Sequence, residues 1–219
     1  MRGLADAFGE AGYNVELPRL PGHGTTIEDM LTTRWADWSG EVEAAYQRLT
    51  ARSSSVVVAG LSMGGALTLW IAGKHPEIAG LICINPAAQP QTSEVIEMLQ
   101  GMIDGGATVI AGIGGDIADP DAQESAYAGT PLPCMVSLVA DGLAVVAPTY
   151  PTLQMPLLLM KSLQDHVVDA AQAEYLADNY GGMVERITLG RSYHVATQDY
   201  DKDLIIAESL AFANRVTTA

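Results

Sequence analysis

One serine stands between two glycines in Gly60-Leu61-Ser62-Met63-Gly64, the pattern Gly-x-Ser-x-Gly. Five letters of that kind arise easily by chance, so the flanking residues decide their meaning. Ahead of them, Val56–Ala59 is a continuous apolar run of strand length. Behind them, Met63–Lys74 is apolar nearly all round (Ala66, Leu67, Leu69, Trp70, Ile71, Ala72), as a buried helix would be. A strand, a sharp turn and a helix are the setting of a nucleophile elbow. The glycines at 60 and 64 would keep the serine backbone uncrowded, and Gly65 would let the helix approach the sheet. The turn would lift the Ser62 hydroxyl above the sheet. The Met63 N–H, at the helix N-terminus, would face the same space as an oxyanion donor.

A serine hydroxyl is a poor nucleophile at neutral pH and needs a base, and the base needs a group to orient it. The chain has four histidines. His23 sits in a Pro-Gly-His-Gly turn, His75 ends the elbow helix, and His166 follows Asp165; each has an ordinary structural reading. His194, in Arg191-Ser192-Tyr193-His194-Val195, falls between the last expected strand and the last expected helix, where a base would lie in the chain order Ser, acid, His. The acid should leave the preceding strand. Asp165 does so, after Leu157–Met160, whereas Asp169 reads as the start of a helix. Asp165 would then hold the Nδ1 proton of His194 and stabilise the imidazolium formed during attack. No histidine pair at i, i+4 and no Cys pair at ligand spacing supports a metal site, and no cofactor is implied.

The remaining chain must position these groups. A helix is expected over the first dozen residues, ended by Gly12, followed by a short β-rich segment, Tyr13–Leu17. Further helices are expected over Trp38–Ala51, Asp169–Asn179 and Lys202–Val216, and further strands over Leu81–Ile84, Leu157–Met160 and Val184–Leu189. Strands alternating with helices argue for a parallel α/β sheet. Residues 89–156 break the rhythm: they show no clear strand and carry methionines, β-branched residues and two glycine pairs. They read as a cap inserted into a core made of residues 1–88 and 157–219. Trp35 and Trp38 read as core anchors.

Composition narrows the function. The 219 residues are 48% hydrophobic and 17% charged, which excludes a disordered chain. Eleven Lys and Arg against 26 Asp and Glu give a net charge of −15, which repels nucleic-acid backbones and anionic lipid. Two cysteines, Cys83 and Cys134, sit in apolar contexts and are read as reduced, buried thiols. No apolar run reaches membrane-spanning length and no signal peptide is evident, so no stable membrane insertion and a cytoplasmic location are expected.

The chain resembles the α/β-hydrolase superfamily, and within it the bacterial carboxylesterases similar to monoacylglycerol lipases. The resemblance rests on Leu20-Pro21-Gly22-His23-Gly24, Trp35-Ala36-Asp37-Trp38, Gly60-Leu61-Ser62-Met63-Gly64-Gly65, Asp165-His166-Val167-Val168 and Ser192-Tyr193-His194-Val195. It implies Ser62 as nucleophile, Asp165 as acid and His194 as base, acting on a small ester or lipid substrate. The apolar cap residues Val95, Ile96, Met98, Met102, Ile103, Val109 and Ile110 would suit an acyl chain. Ser162 departs from the glycine common before the acid, a change expected to alter loop packing only. The resemblance also implies strands and a second oxyanion donor ahead of the helix that begins this sequence. The expectation is therefore an N-terminally incomplete sheet and weak ester hydrolysis. A non-catalytic hydrolase-like binding module, or C–C bond or peptide hydrolysis on the same fold, are the competing readings.

Overall fold

In the computed structural model, which describes residues 1–218, four parallel strands carry the fold. They are β1 (Val57–Leu61), β2 (Gly80–Ile84), β5 (Leu157–Ser162) and β6 (Val184–Leu189), in the order β1-β2-β5-β6. Every residue of β2 is buried, as an inner strand covered on both faces must be. Its side chains alternate between two cores. Leu81 and Cys83 join Leu157 and Leu159 under α3 (Trp35–Thr50), α4 (Met63–Lys74) and α8 (Ala171–Asn179). Ile82 and Ile84 join Leu158 and Met160 under α1 (Arg2–Glu10) and α9 (Lys202–Thr217). Burial pushes the Cys83 thiol up to about 12, so it stays protonated; both cysteines are free and buried.

The elbow helix α4 has seven buried residues from Gly65 to Ala72, which explains its lack of a polar face. Trp35 and Trp38 are core residues, and the Trp38 indole N–H lies within reach of Thr33 Oγ1 (3.1 Å) and the Pro21 carbonyl (3.2 Å). Helix α3 starts three residues earlier than expected because Asp37 accepts the Arg34 N–H at 2.8 Å, closing its first turn.

Two expectations fail. Tyr13–Leu17 is not a strand. It joins no ladder but lines a cavity together with Val57 and Ala59 of β1, and among the described residues no strand pairs with that side of β1. The Val56 carbonyl accepts from Ala79 N–H and Ser62 N–H donates to the Ile84 carbonyl, so the even-numbered residues of this segment bond to β2. The backbone groups of Val57, Ala59 and Leu61 therefore turn to the open side. Two cavities flank that side, about 150 Å³ under α1 and about 400 Å³ under α3 and α4.

The second failure is in residues 89–156, which hold an antiparallel pair, β3 (Val109–Ala111) with β4 (Gly129–Pro131), as well as α5 (Ser93–Asp104). Three-residue strands carry too little periodicity to be seen in a sequence. The later part is a helical stretch, Leu132–Thr152, made of α6 (Leu132–Ser137), a π-helical turn, α7 (Ala144–Val146) and a final 3₁₀ segment. At 21 residues and a mean hydropathy of 1.6 it is long and apolar enough to cross a membrane, contrary to the expectation from apolar runs. Its Cys134, Leu143, Val146 and Tyr150 pack into the core beneath α3 and α4. The Tyr150 hydroxyl donates to the Ala88 carbonyl at 2.8 Å.

Candidate active site

Ser62 occupies the turn between β1 and α4 with φ 56° and ψ −120°, a left-handed conformation that a serine adopts only under strain. Gly60 permits it, since a Cβ there would collide with the Gly64 carbonyl. Gly64 itself faces open space, so its role is not the relief of crowding expected from the sequence. Gly65 packs against Pro86, where a side chain would clash, which is the close approach of helix to sheet that its position suggested. The Ser62 carbonyl accepts N–H bonds from Gly65 (2.9 Å) and Ala87 (3.1 Å), fixing the turn from both sides. Met63 opens α4, and the first N–H groups of a helix lack intrahelical partners. Its amide is placed to meet negative charge developing beside Ser62.

Asp165 and His194 meet. His194 Nδ1 lies 2.7 Å from Asp165 Oδ2, and both side chains are almost fully buried. Opposite a carboxylate, Nδ1 carries the hydrogen, which leaves Nε2 as the basic nitrogen. The other Asp165 oxygen, Oδ1, accepts the N–H groups of Val167 (2.9 Å) and Val168 (2.8 Å), which locks the carboxylate's orientation. Asp169 does not take part: its Oδ1 caps the start of α8 through Ala171 N–H at 2.8 Å. No hydrogen bond joins Ser62 Oγ to His194 among the described residues; such bonds are often long in a free enzyme and tighten with substrate.

What ties the serine end to the histidine end is Asn85, which follows β2 with φ 42°. Its backbone N–H donates to the Met160 carbonyl, and its side-chain amide donates to the His194 carbonyl at 2.8 Å and to Ser162 Oγ at 3.0 Å. Asn85 Oδ1 accepts the Ser162 N–H at 2.7 Å, and Ser162 Oγ donates to the Tyr193 carbonyl at 2.8 Å. Ser162 therefore does more than adjust loop packing: its hydroxyl is a link between β5 and the loop that carries His194. Two further carboxylates shape that loop. Buried Asp199 accepts four N–H groups, from Ala118, Asp119, Tyr193 and Tyr200, and Asp201 accepts two, from Arg191 and Ser192.

The sequence did not single out Asn85, Asp199 or Asp201. An asparagine just past a buried strand was a signal for a left-handed turn. Nothing in the sequence separates Asp199 and Asp201 from the chain's other acids.

The other histidines scatter. His75 caps the end of α4 between Glu43 and Glu77, and His166 lies against Asp116. His23 Nδ1 donates to the Pro21 carbonyl (3.2 Å), and the residue lines the same cavity of about 400 Å³ as Ser62 and Met63. That cavity is otherwise walled by core residues such as Leu20, Val58 and Leu67, and none of the seven cap residues expected to hold an acyl chain lines it. Met98, Met102 and Val109 are exposed instead.

Comparison with known proteins agrees with this architecture. Residues 1–111 match the family of hydrolases described as serine aminopeptidase, S33. A thermostable monoacylglycerol lipase of Bacillus sp. (strain H-257) is 40% identical over 215 residues, 97% of this chain and 84% of that protein. A solved structure described with LipS and LipT, two metagenome-derived lipolytic enzymes, is 39% identical and superposes with a TM-score of 0.91. It covers 98% of this chain, which in turn covers 87% of it. The Paleococcus ferrophilus monoacylglycerol lipase, at 15% identity, shares the fold with a TM-score of 0.68, over 94% of this chain and 85% of that one.

Proposed function

This chain belongs to the serine aminopeptidase S33 family of α/β-hydrolases and is a lipase- or esterase-like hydrolase; we propose that it cleaves short to medium acyl esters or monoacylglycerols through Ser62, His194 and Asp165. The observation that carries the reading is the 2.7 Å contact between His194 and Asp165 at the sheet rim that also bears the strained Ser62 turn. The same rim arises because all three residues follow the C-terminal ends of parallel strands, β1, β5 and β6.

In the proposed cycle His194 Nε2 removes the Ser62 proton as Oγ attacks the ester carbonyl. The Met63 N–H takes the developing oxyanion, and the imidazolium, held by Asp165, protonates the leaving alcohol. Water, deprotonated by the same nitrogen, then attacks the acyl-serine and releases the acid. Removing one oxyanion donor from such a site typically slows turnover about 10²–10³-fold, which is the scale on which the Met63 N–H is expected to contribute. The apolar cavity beside Ser62 suits an acyl chain better than a charged or peptidic group. The monoacylglycerol lipase relative supports glycerol as the alcohol.

The test is a rate series over p-nitrophenyl esters of increasing chain length and over monoacylglycerols, with Ser62→Ala alongside. Ester cleavage that disappears in Ser62→Ala supports the reading. Cleavage that survives in that variant, or turnover of peptides in preference to esters, contradicts it.

A further inference from the structure

Asp165 and His194 lie on separate loops, 29 residues apart, and one residue from the segment inserted between β2 and β5 grips both. Asp116 Oδ2 accepts the His194 backbone N–H at 3.0 Å and the His166 backbone N–H at 3.1 Å. A single oxygen thus bonds to the base and to the residue next to the acid. Asp116 Oδ1 faces His166 Nδ1 at 2.8 Å, and the Asp116 carbonyl accepts the Val195 N–H at 3.0 Å. The His166 ring stands edge-on to Tyr193, the neighbour of the base, with centroids 4.6 Å apart. The two residues following Ile117 are held in turn by Asp199, which also holds Tyr193.

Resting on the catalytic reading above, we propose that Asp116 is a positioning residue: it sets the distance and angle between Asp165 and His194 by clamping both loops, without touching substrate. The physical case is one of tolerance. An acid and a base on two independent loops would be aligned by their own single hydrogen bond, and a shift of about 1 Å in such geometry can cost about 10²-fold in rate. A carboxylate whose oxygens are committed to three N–H groups of both loops removes that freedom. Burial alone would raise the Asp116 pKa, but the N–H bonds from His166 and His194 hold it below the ordinary carboxylate range, so the clamp stays charged. It also makes the inserted segment part of the site, because displacing residues 116–119 would release the base loop.

The test compares Asp116→Asn, whose amide oxygen can still accept an N–H, with Asp116→Ala, which keeps no acceptor. Two readouts are used: kinetics on a p-nitrophenyl ester, and the downfield proton resonance of the His194 Nδ1–H···Asp165 bond, which needs no turnover. Thermal melts establish that each variant is folded. A positioning role predicts kcat lower by about 10- to 100-fold in Asp116→Ala with KM within about twofold, and a smaller loss in Asp116→Asn. The resonance should shift or broaden in the same order. Asp165→Asn separates the two claims. A resonance that survives it contradicts the acid–base pair and the proposal with it. A resonance that it removes, but that Asp116→Ala leaves unmoved with kcat unchanged, overturns the Asp116 proposal alone.

Discussion

The two flanks of this sheet are built to different standards. At the rim beyond β5 and β6, Asp116, Asp165, Asp199 and Asp201 accept backbone N–H groups from three loops, and Asn85 and Ser162 stitch those loops to the strands. At the other flank, the odd-numbered backbone groups of β1 face no strand among the described residues, and cavities lie on both sides of them. Ser62 stands where the two regions meet. Asp165 and His194 are each held by several bonds, whereas β1, which leads into Ser62, is paired on one side only among the described residues. Buried carboxylates are stable at this rim because each is satisfied by several N–H donors; one left without them would cost far more than an empty apolar cavity.

The largest effects belong to the rim. Ser62→Ala should reduce ester hydrolysis by about 10⁴- to 10⁶-fold with the melting temperature unchanged, measured as initial rates beside a thermal melt. Asp165→Asn should lower kcat by about 10⁴-fold, since the wrong tautomer of His194 is then favoured. If that variant kept most of its activity, the acid would have to be another residue and the contrast between the flanks would lose its catalytic meaning.

Stability should divide the regions next. Asp199→Ala orphans four N–H groups and should cost about 3 kcal/mol or more in urea unfolding. On the open flank the sign should reverse. Ala59 borders both cavities, so Ala59→Leu should stabilise by about 1 kcal/mol through new apolar burial. The same change at fully buried Ala66 in α4 should cost about 1–3 kcal/mol by overpacking. Equal destabilisation at both alanines would mean that the open flank is packed as tightly as the rest.

Much of this organisation was legible in the residues. The elbow announced itself because a tight turn demands small neighbours and an apolar helix demands burial. The pairing of Asp165 with His194 followed from where each lies relative to its strand. Tyr13–Leu17 was misread because strand propensity says nothing about whether a partner edge is within reach. β3 and β4 were too short to show a period. Asp116 was invisible for a different reason: in a chain with 26 acids, which carboxylate meets which loop is settled by long-range folding alone.

The smallest expected effect concerns pH. The Asp116 carboxyl is depressed in the folded chain, so its contribution is full above the ordinary carboxylate range and is lost as pH falls through its lowered value. Asp116→Asn should accordingly flatten the acid limb of the stability curve below that range and leave the neutral region little changed. A variant with an unaltered acid limb would show that the carboxyl gains nothing from its clamp.

The most direct test of the central claim, that Ser62, His194 and Asp165 act as one unit, is covalent labelling with a fluorophosphonate followed by peptide mapping. The account predicts a single adduct on Ser62, absent in Ser62→Ala and strongly slowed in His194→Ala. A folded chain that takes up no label, or one labelled at Ser62 at the same rate without His194, would contradict it.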